Sequence, residues 1–173
     1  KQDSPRERAP AGNHVARCIW VVDLGNQETT YQGETRVRRQ ILLGFELCDE
    51  LMADGRPFAV SGVYTYSLGQ KAKFRALCES WRGQAFSEQE IPEFDPSRLA
   101  GAPALAQVAH REAPNGKTYV NLTALTRLPK GMSAPEPHNK PIVYSPELHD
   151  QSSYDALPQW VRDKIDARIE QGR

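Results

Sequence analysis

The residue types able to carry covalent or metal chemistry are scattered along this chain. Its four histidines (His14, His110, His138, His149) lack metal-ligand spacing, and the three cysteines (Cys18, Cys48, Cys78) include no C-x-x-C pair. Gly116-Lys117-Thr118 echoes a phosphate loop, but Arg111 stands where that loop needs its first glycine. Asn115-Gly116 therefore reads as a hairpin turn. No G-x-G-x-x-G and no G-x-S-x-G is present. No cofactor, no metal and no catalytic residue is expected. What remains is a set of cations and flat rings: Arg36, Arg38, Tyr64, Tyr66, Lys117, Tyr119 and Trp20. Cations meet phosphates and flat rings stack on bases, the two contacts that a single-strand site needs. The same residues also fit a plainer role, tyrosines covering a half-exposed sheet and arginines solvated beside them. Trp20, between Ile19 and Val21, fits either a core position or a stacking platform.

Such a set acts together only if strands position it. His14–Leu24 (HVARCIWVVDL) reads as strand one, and residues 25–35 as a polar loop. Arg36–Leu47 reads as strand two. Its buried face is Val37, Ile41, Leu43, Phe45 and Leu47, which places Arg36, Arg38 and Gln40 opposite. Phe58–Tyr66 is strand three, where Gly62 suggests a bulge or sharp coil and leaves room for a ligand to approach the backbone. Ser67-Leu68-Gly69-Gln70 matches a capping box, followed by Phe74, Leu77, Cys78 and Trp81 at helical spacing and a stop at Gly83. A helical turn is expected over Asp95–Leu99. Ala104–Glu112 and Lys117–Leu128 form strands four and five around the Asn115-Gly116 hairpin. Six prolines (129, 135, 137, 141, 146, 158) then mark an extended segment, and Asp155–Gln171 reads as a closing helix with Leu157, Trp160, Val161, Ile165 and Ile169 apolar.

The chain of 173 residues can bury a core without disulfides or metals. Charge sums to zero, with 22 basic and 22 acidic residues, which excludes duplex binding by bulk charge alone. The distribution is uneven: residues 61–85 and 101–131 each carry +3, whereas 46–60 and 86–100 each carry −3. No apolar run is long enough to span a bilayer and no signal-peptide pattern opens the chain, so no membrane partner is expected. The cysteine usage suits a reducing, cytosolic setting.

Three strands, a helix and a hairpin, in that order, suit the five-stranded OB barrel, although other all-β and α+β topologies share the order. The expected fold is mostly β: an OB-fold-like barrel over residues 14–131, with one helix between strands three and four. It follows a flexible arm (1–13) and precedes a Pro-rich extension ending in a helix (132–173).

The stretches GNHVARCIWVVDLG, FELCDELMADGRPF, YTYSLGQKAKFRALCESWRGQAF and NGKTYVNL…LTRLPKGM resemble a family of bacteriophage-encoded, OB-fold, single-stranded-DNA-binding-like proteins. The resemblance runs from Gly12 to Met132 and, more loosely, through LPQWVRDKI. It implies a non-catalytic protein of phage replication or recombination in the bacterial host cytoplasm, and it supports the helix after Ser67 and the Asn115-Gly116 hairpin. The implied partners are single-stranded DNA and replication or recombination proteins, and a homo-oligomer stays open. The alternative is an OB-fold module that binds a host or phage replication or nuclease protein.

Overall fold

The computed structural model describes residues 7–170. Six strands form one sheet: β1 (Gly12–Tyr31), β2 (Glu34–Leu51), β3 (Pro57–Thr65), β4 (Pro103–Glu112), β5 (Thr118–Thr126) and β6 (Ile142–Tyr144). The order is β3-β2-β1-β4-β5, antiparallel throughout, and β6 adds to β1 in parallel. The helices are α1 (Lys73–Arg82), α2 (Gln151–Ala156) and α3 (Gln159–Asp166). The mostly-β class is the expected one. The two ends of the strand order, β3 and β5, approach each other, and α1 packs against both.

Residues 25–35, expected as a loop, instead continue β1 and β2 as a long hairpin arm. Thr29, Thr30, Thr35 and Val37 favour extended backbone. Gln32 (φ 50°) and Gly33 (φ 78°) both take the left-handed region, as a two-residue turn between twisted strands requires. Ser67-x-x-Gln70 does not cap α1. The Ser67 hydroxyl instead accepts from Gly69 N–H at 3.1 Å, and the cap position is Ala72, without a side-chain bond. Gly83 (φ 72°) ends the helix as expected. The helical turn at Pro96–Leu99 is a 3-10 turn, with the Asp95 carboxylate accepting from Ser97 N–H.

Two cores lie on opposite faces of the central strands. The inner one joins Ala16, Cys18, Val21, Ile41, Leu43, Phe45 and Leu47 to Phe74, Cys78 and Trp81 of α1. Trp81 meets Phe45 edge-on at 5.3 Å and donates its indole N–H to Pro103 O at 2.8 Å. The outer one joins Val22, Leu24 and Leu42 to Tyr144, Leu157, Val161 and Ile165. A strand can feed both cores only by alternation, and β2 is therefore buried without a break from Ile41 to Leu47. β1 switches parity at bulges between Cys18 and Trp20 and between Asp23 and Gly25.

The C-terminal segment is thus part of the sheet's packing. The closing helix expected over 155–171 is two short ones, because Pro158 cannot continue a helix. The Pro-rich stretch, expected without regular structure, contributes β6 and is clamped by two side chains. Arg17 donates to the carbonyls of Gly101, Ala134 and Pro135 at 2.8–3.0 Å. Glu46, only 2% exposed, accepts from the backbone N–H of His138 and Asn139 and from the Asn139 side-chain amide. The arm expected over 1–13 is docked where it is described. Ala9 is buried in the inner core, His110 bonds its carbonyl, and Glu7 accepts from Ala53 N–H. Residues 1–6 lie outside the described residues.

Candidate nucleic-acid interface

Arg36 and Arg38 lie near the end of the β1–β2 arm. Their cross-strand partners are Thr29 and Gln27, and Tyr31 pairs with Glu34. Paired residues in an antiparallel ladder share a face, so Gln27, Thr29, Tyr31, Glu34, Arg36 and Arg38 line one side of the arm. Tyr31 is 75% exposed. Arg36 donates to Glu34 at 2.9 Å, but both side chains are well exposed, and such surface pairs contribute little. Two residues of strand separate the arginines by about 7 Å. An exposed ring, two cations and flanking hydroxyl and amide groups thus stand together on one surface. A shallow cleft runs between them.

The register excludes Tyr64 and Tyr66 from that surface. Ile41 pairs with Tyr64 and Leu43 with Gly62, so Tyr64 shares the inner face, opposite to Arg36 and Arg38. Its ring packs 6.4 Å from Phe74, and burial pushes its hydroxyl up to about 12. Gly62 makes no bulge; the Tyr64 hydroxyl occupies the space that a Cβ there would need. Tyr66 lies against Phe74 on one side and under the Arg39 guanidinium, 4.2 Å above its ring, on the other. Arg39, also on the inner parity, is bound to Asp23 (Nε–Oδ2 3.1 Å), and that hydrogen bond raises its pKa further. Arg36 and Arg38 of β2 therefore do not share a face with Tyr64 and Tyr66, and that part of the expected set is not brought together.

Lys117 and Tyr119 sit on the β4–β5 hairpin. Its turn is closed by Gly116 N–H to Ala113 O at 2.9 Å, with Gly116 at φ 82°. Tyr119 is 42% exposed and pairs with Arg111, whose guanidinium lies 5.9 Å from its ring. Val108 and Leu122 face the inner core, so alternation puts Arg111 and Tyr119 on the sheet's outer surface, the one that carries Arg36 and Arg38. Two cation–aromatic sets thus occupy one surface, at opposite ends of β1.

Trp20 lies between them on that outer surface. It pairs with Gly44, and a Cβ at Gly44 would collide with its ring. Trp160 meets it edge-on at 6.3 Å. The sequence reading missed Tyr31, although Gln32-Gly33 between two β-rich runs carried the turn signal. Among the described residues no group of three or more His, Cys, Asp or Glu side chains is placed to hold a metal ion, and no helix is long and apolar enough to cross a membrane. No family model matches this sequence, and no curated protein or solved structure is significantly similar to it.

Proposed function

We propose that the chain is an OB-type barrel that binds single-stranded DNA with little sequence preference and performs no chemistry on it, in phage replication or recombination. The order β3-β2-β1-β4-β5, with α1 between β3 and β4 and with β3 approaching β5, supports the barrel. The observation that carries the functional reading is the arm surface, where Tyr31, Arg36 and Arg38 share one exposed face. Two cations at strand spacing suit successive phosphates of an extended strand, and a ring beside them suits a base. Nothing in that set offers the fixed, buried donor–acceptor pairs that sequence readout requires. Although the net charge is zero, Arg36 and Arg38 outnumber Glu34 on the arm face, so the cations there are a local excess.

A second reading, a module that binds replication or nuclease proteins, is favoured by one feature. From Glu34 to Arg38 the arm's β2 edge has no partner in β3, and strand addition by another protein would use such an edge. Fluorescence anisotropy with a labelled oligo-dT at two salt concentrations separates the two. Strand binding is expected at low salt with a steep loss at high salt. No binding at low salt would leave the protein-binding reading in its place.

A further inference from the structure

Between the two cation–aromatic sets, the outer surface is covered by β6, α2 and α3, and this cover is not continuous. It leaves an open cleft of about 530 Å³ beside Trp20, within the size range of small-ligand sites. Trp20, Lys140, Asn139, Ser152, Ser153 and Pro158 are among its lining. Trp20 rests on Gly44, where the missing Cβ lets the ring lie close to the sheet, and the Trp160 ring stands 6.3 Å from it with the two planes 75° apart. It stays partly exposed, whereas Trp81 of the inner core is 5% exposed. Lys140 is exposed and is the one charged residue in the lining. An aromatic ring beside a single cation, with amide and hydroxyl groups around them, complements a ring that carries a negative charge.

We propose that this cleft is a nucleotide subsite. Trp20 would be the stacking surface for one base, and Lys140 the contact for an adjoining phosphate of the single strand that the arm holds. The inference rests on the reading of the chain as a single-strand binder and adds a site to it. It assigns the C-terminal segment a part in binding: β6, α2 and the Leu157-Pro158 link after it supply the walls, and the stretch just before β6 supplies the cation, of a site whose floor comes from β1. Base stacking on a ring is sequence-tolerant, so the subsite keeps the binding unselective.

The test uses the full chain with Trp160→Phe, which leaves Trp20 as the only tryptophan outside the inner core. Its emission and the anisotropy of a labelled oligo-dT are followed in parallel titrations. Quenching that saturates together with the anisotropy is expected. Lys140→Glu should weaken oligo-dT binding ~10-fold, as loss of one charged phosphate contact implies. It should not alter the thermal unfolding midpoint, since Lys140 is exposed. Arg36→Ala/Arg38→Ala should weaken binding while leaving the quench at saturation unchanged. Oligo-dT binding with unquenched emission and unaltered Lys140→Glu affinity would overturn the subsite and leave the single-strand reading standing. Absence of any anisotropy change at low salt would overturn both. Quenching by an acidic aromatic peptide at lower concentration than by oligo-dT would assign the cleft to a protein ligand and overturn the proposal.

Discussion

Tyr31 and Tyr64 are the same residue type with opposite fates, and the difference lies in what faces each ring. Tyr31 stands exposed at the arm's end; Tyr64 leans on Phe74 under the sheet. Tyr31→Ala is therefore expected to weaken oligo-dT binding by ~1–3 kcal/mol with little change in salt dependence, since stacking is lost and no phosphate contact is. Tyr64→Ala should lower stability in urea unfolding and leave the affinity of the folded protein unaltered. Phe74, fully buried between Tyr64 and Tyr66, should cost ~3–5 kcal/mol on replacement by Ala. A loss under ~1 kcal/mol would mean that α1 does not pack as described. The two sulfurs of the inner core follow the same logic. Burial holds the Cys18 and Cys78 thiols well above their ordinary value of 9.0, so neither should react with thiol reagents at pH 8 until the protein unfolds.

At the scale of elements, alternation along one strand was legible and the pairing between strands was not. Arg36 and Arg38 read outward from β2 alone and do take the parity opposite to Ile41 and Leu43, but Val37, read as buried with those residues, is 52% exposed because the arm extends beyond the core. Tyr64 and Tyr66 were placed beside the two arginines because no signal in either strand states that residue 41 meets residue 64. A register that pairs odd with even positions moves every side chain of β3 to the other face. The bulges at Cys18/Trp20 and Asp23/Gly25 likewise reverse parity within β1, which is why Trp20 could not be oriented from its neighbours. One cue to the second core was present: Leu42, apolar between Ile41 and Leu43, breaks the alternation of a half-exposed strand. The C-terminal elements that cover Leu42 lie a hundred residues away, and periodicity reports nothing at that range. Truncation after Met132 would strip the cover from Val22, Leu24 and Leu42, each now fully buried. At about 1.5–3 kcal/mol per side chain, the loss is roughly 5–9 kcal/mol. That rivals the ~5–15 kcal/mol stability of a whole domain. A chain ending at Met132 should fail to give a cooperative thermal transition. A transition within a few degrees of the full-length midpoint would show that the sheet stands without its cover.

The whole molecule combines a neutral net charge with two exposed cation–aromatic sets on one surface and two cores that share β1 and β2. Its stability should fall above pH 9. Cys78 and Tyr64 are pushed up to about 12 in the folded state, from ordinary values of 9.0 and 10.0. Between those values the unfolded chain has released protons that the folded chain still holds. Unfolding therefore becomes easier as pH rises through that window, and the contribution is fully present only below pH 9. Urea unfolding at pH 8 and pH 11 should give a lower midpoint at the higher pH. The proposed binding surface follows from the same assembly: the long hairpin sets two cations and a ring on one face beyond the packed part of the sheet. If that face holds a single strand, each arginine that meets a phosphate contributes up to ~0.7 to the slope of log K against log salt. Titration of labelled oligo-dT across a salt series, for the wild-type chain beside Arg36→Ala/Arg38→Ala, reads that slope. Weaker binding of the double variant, with a slope shallower by up to ~1.4, is expected. Unchanged affinity and slope in a folded double variant would contradict the assignment of the arm as the strand-binding surface.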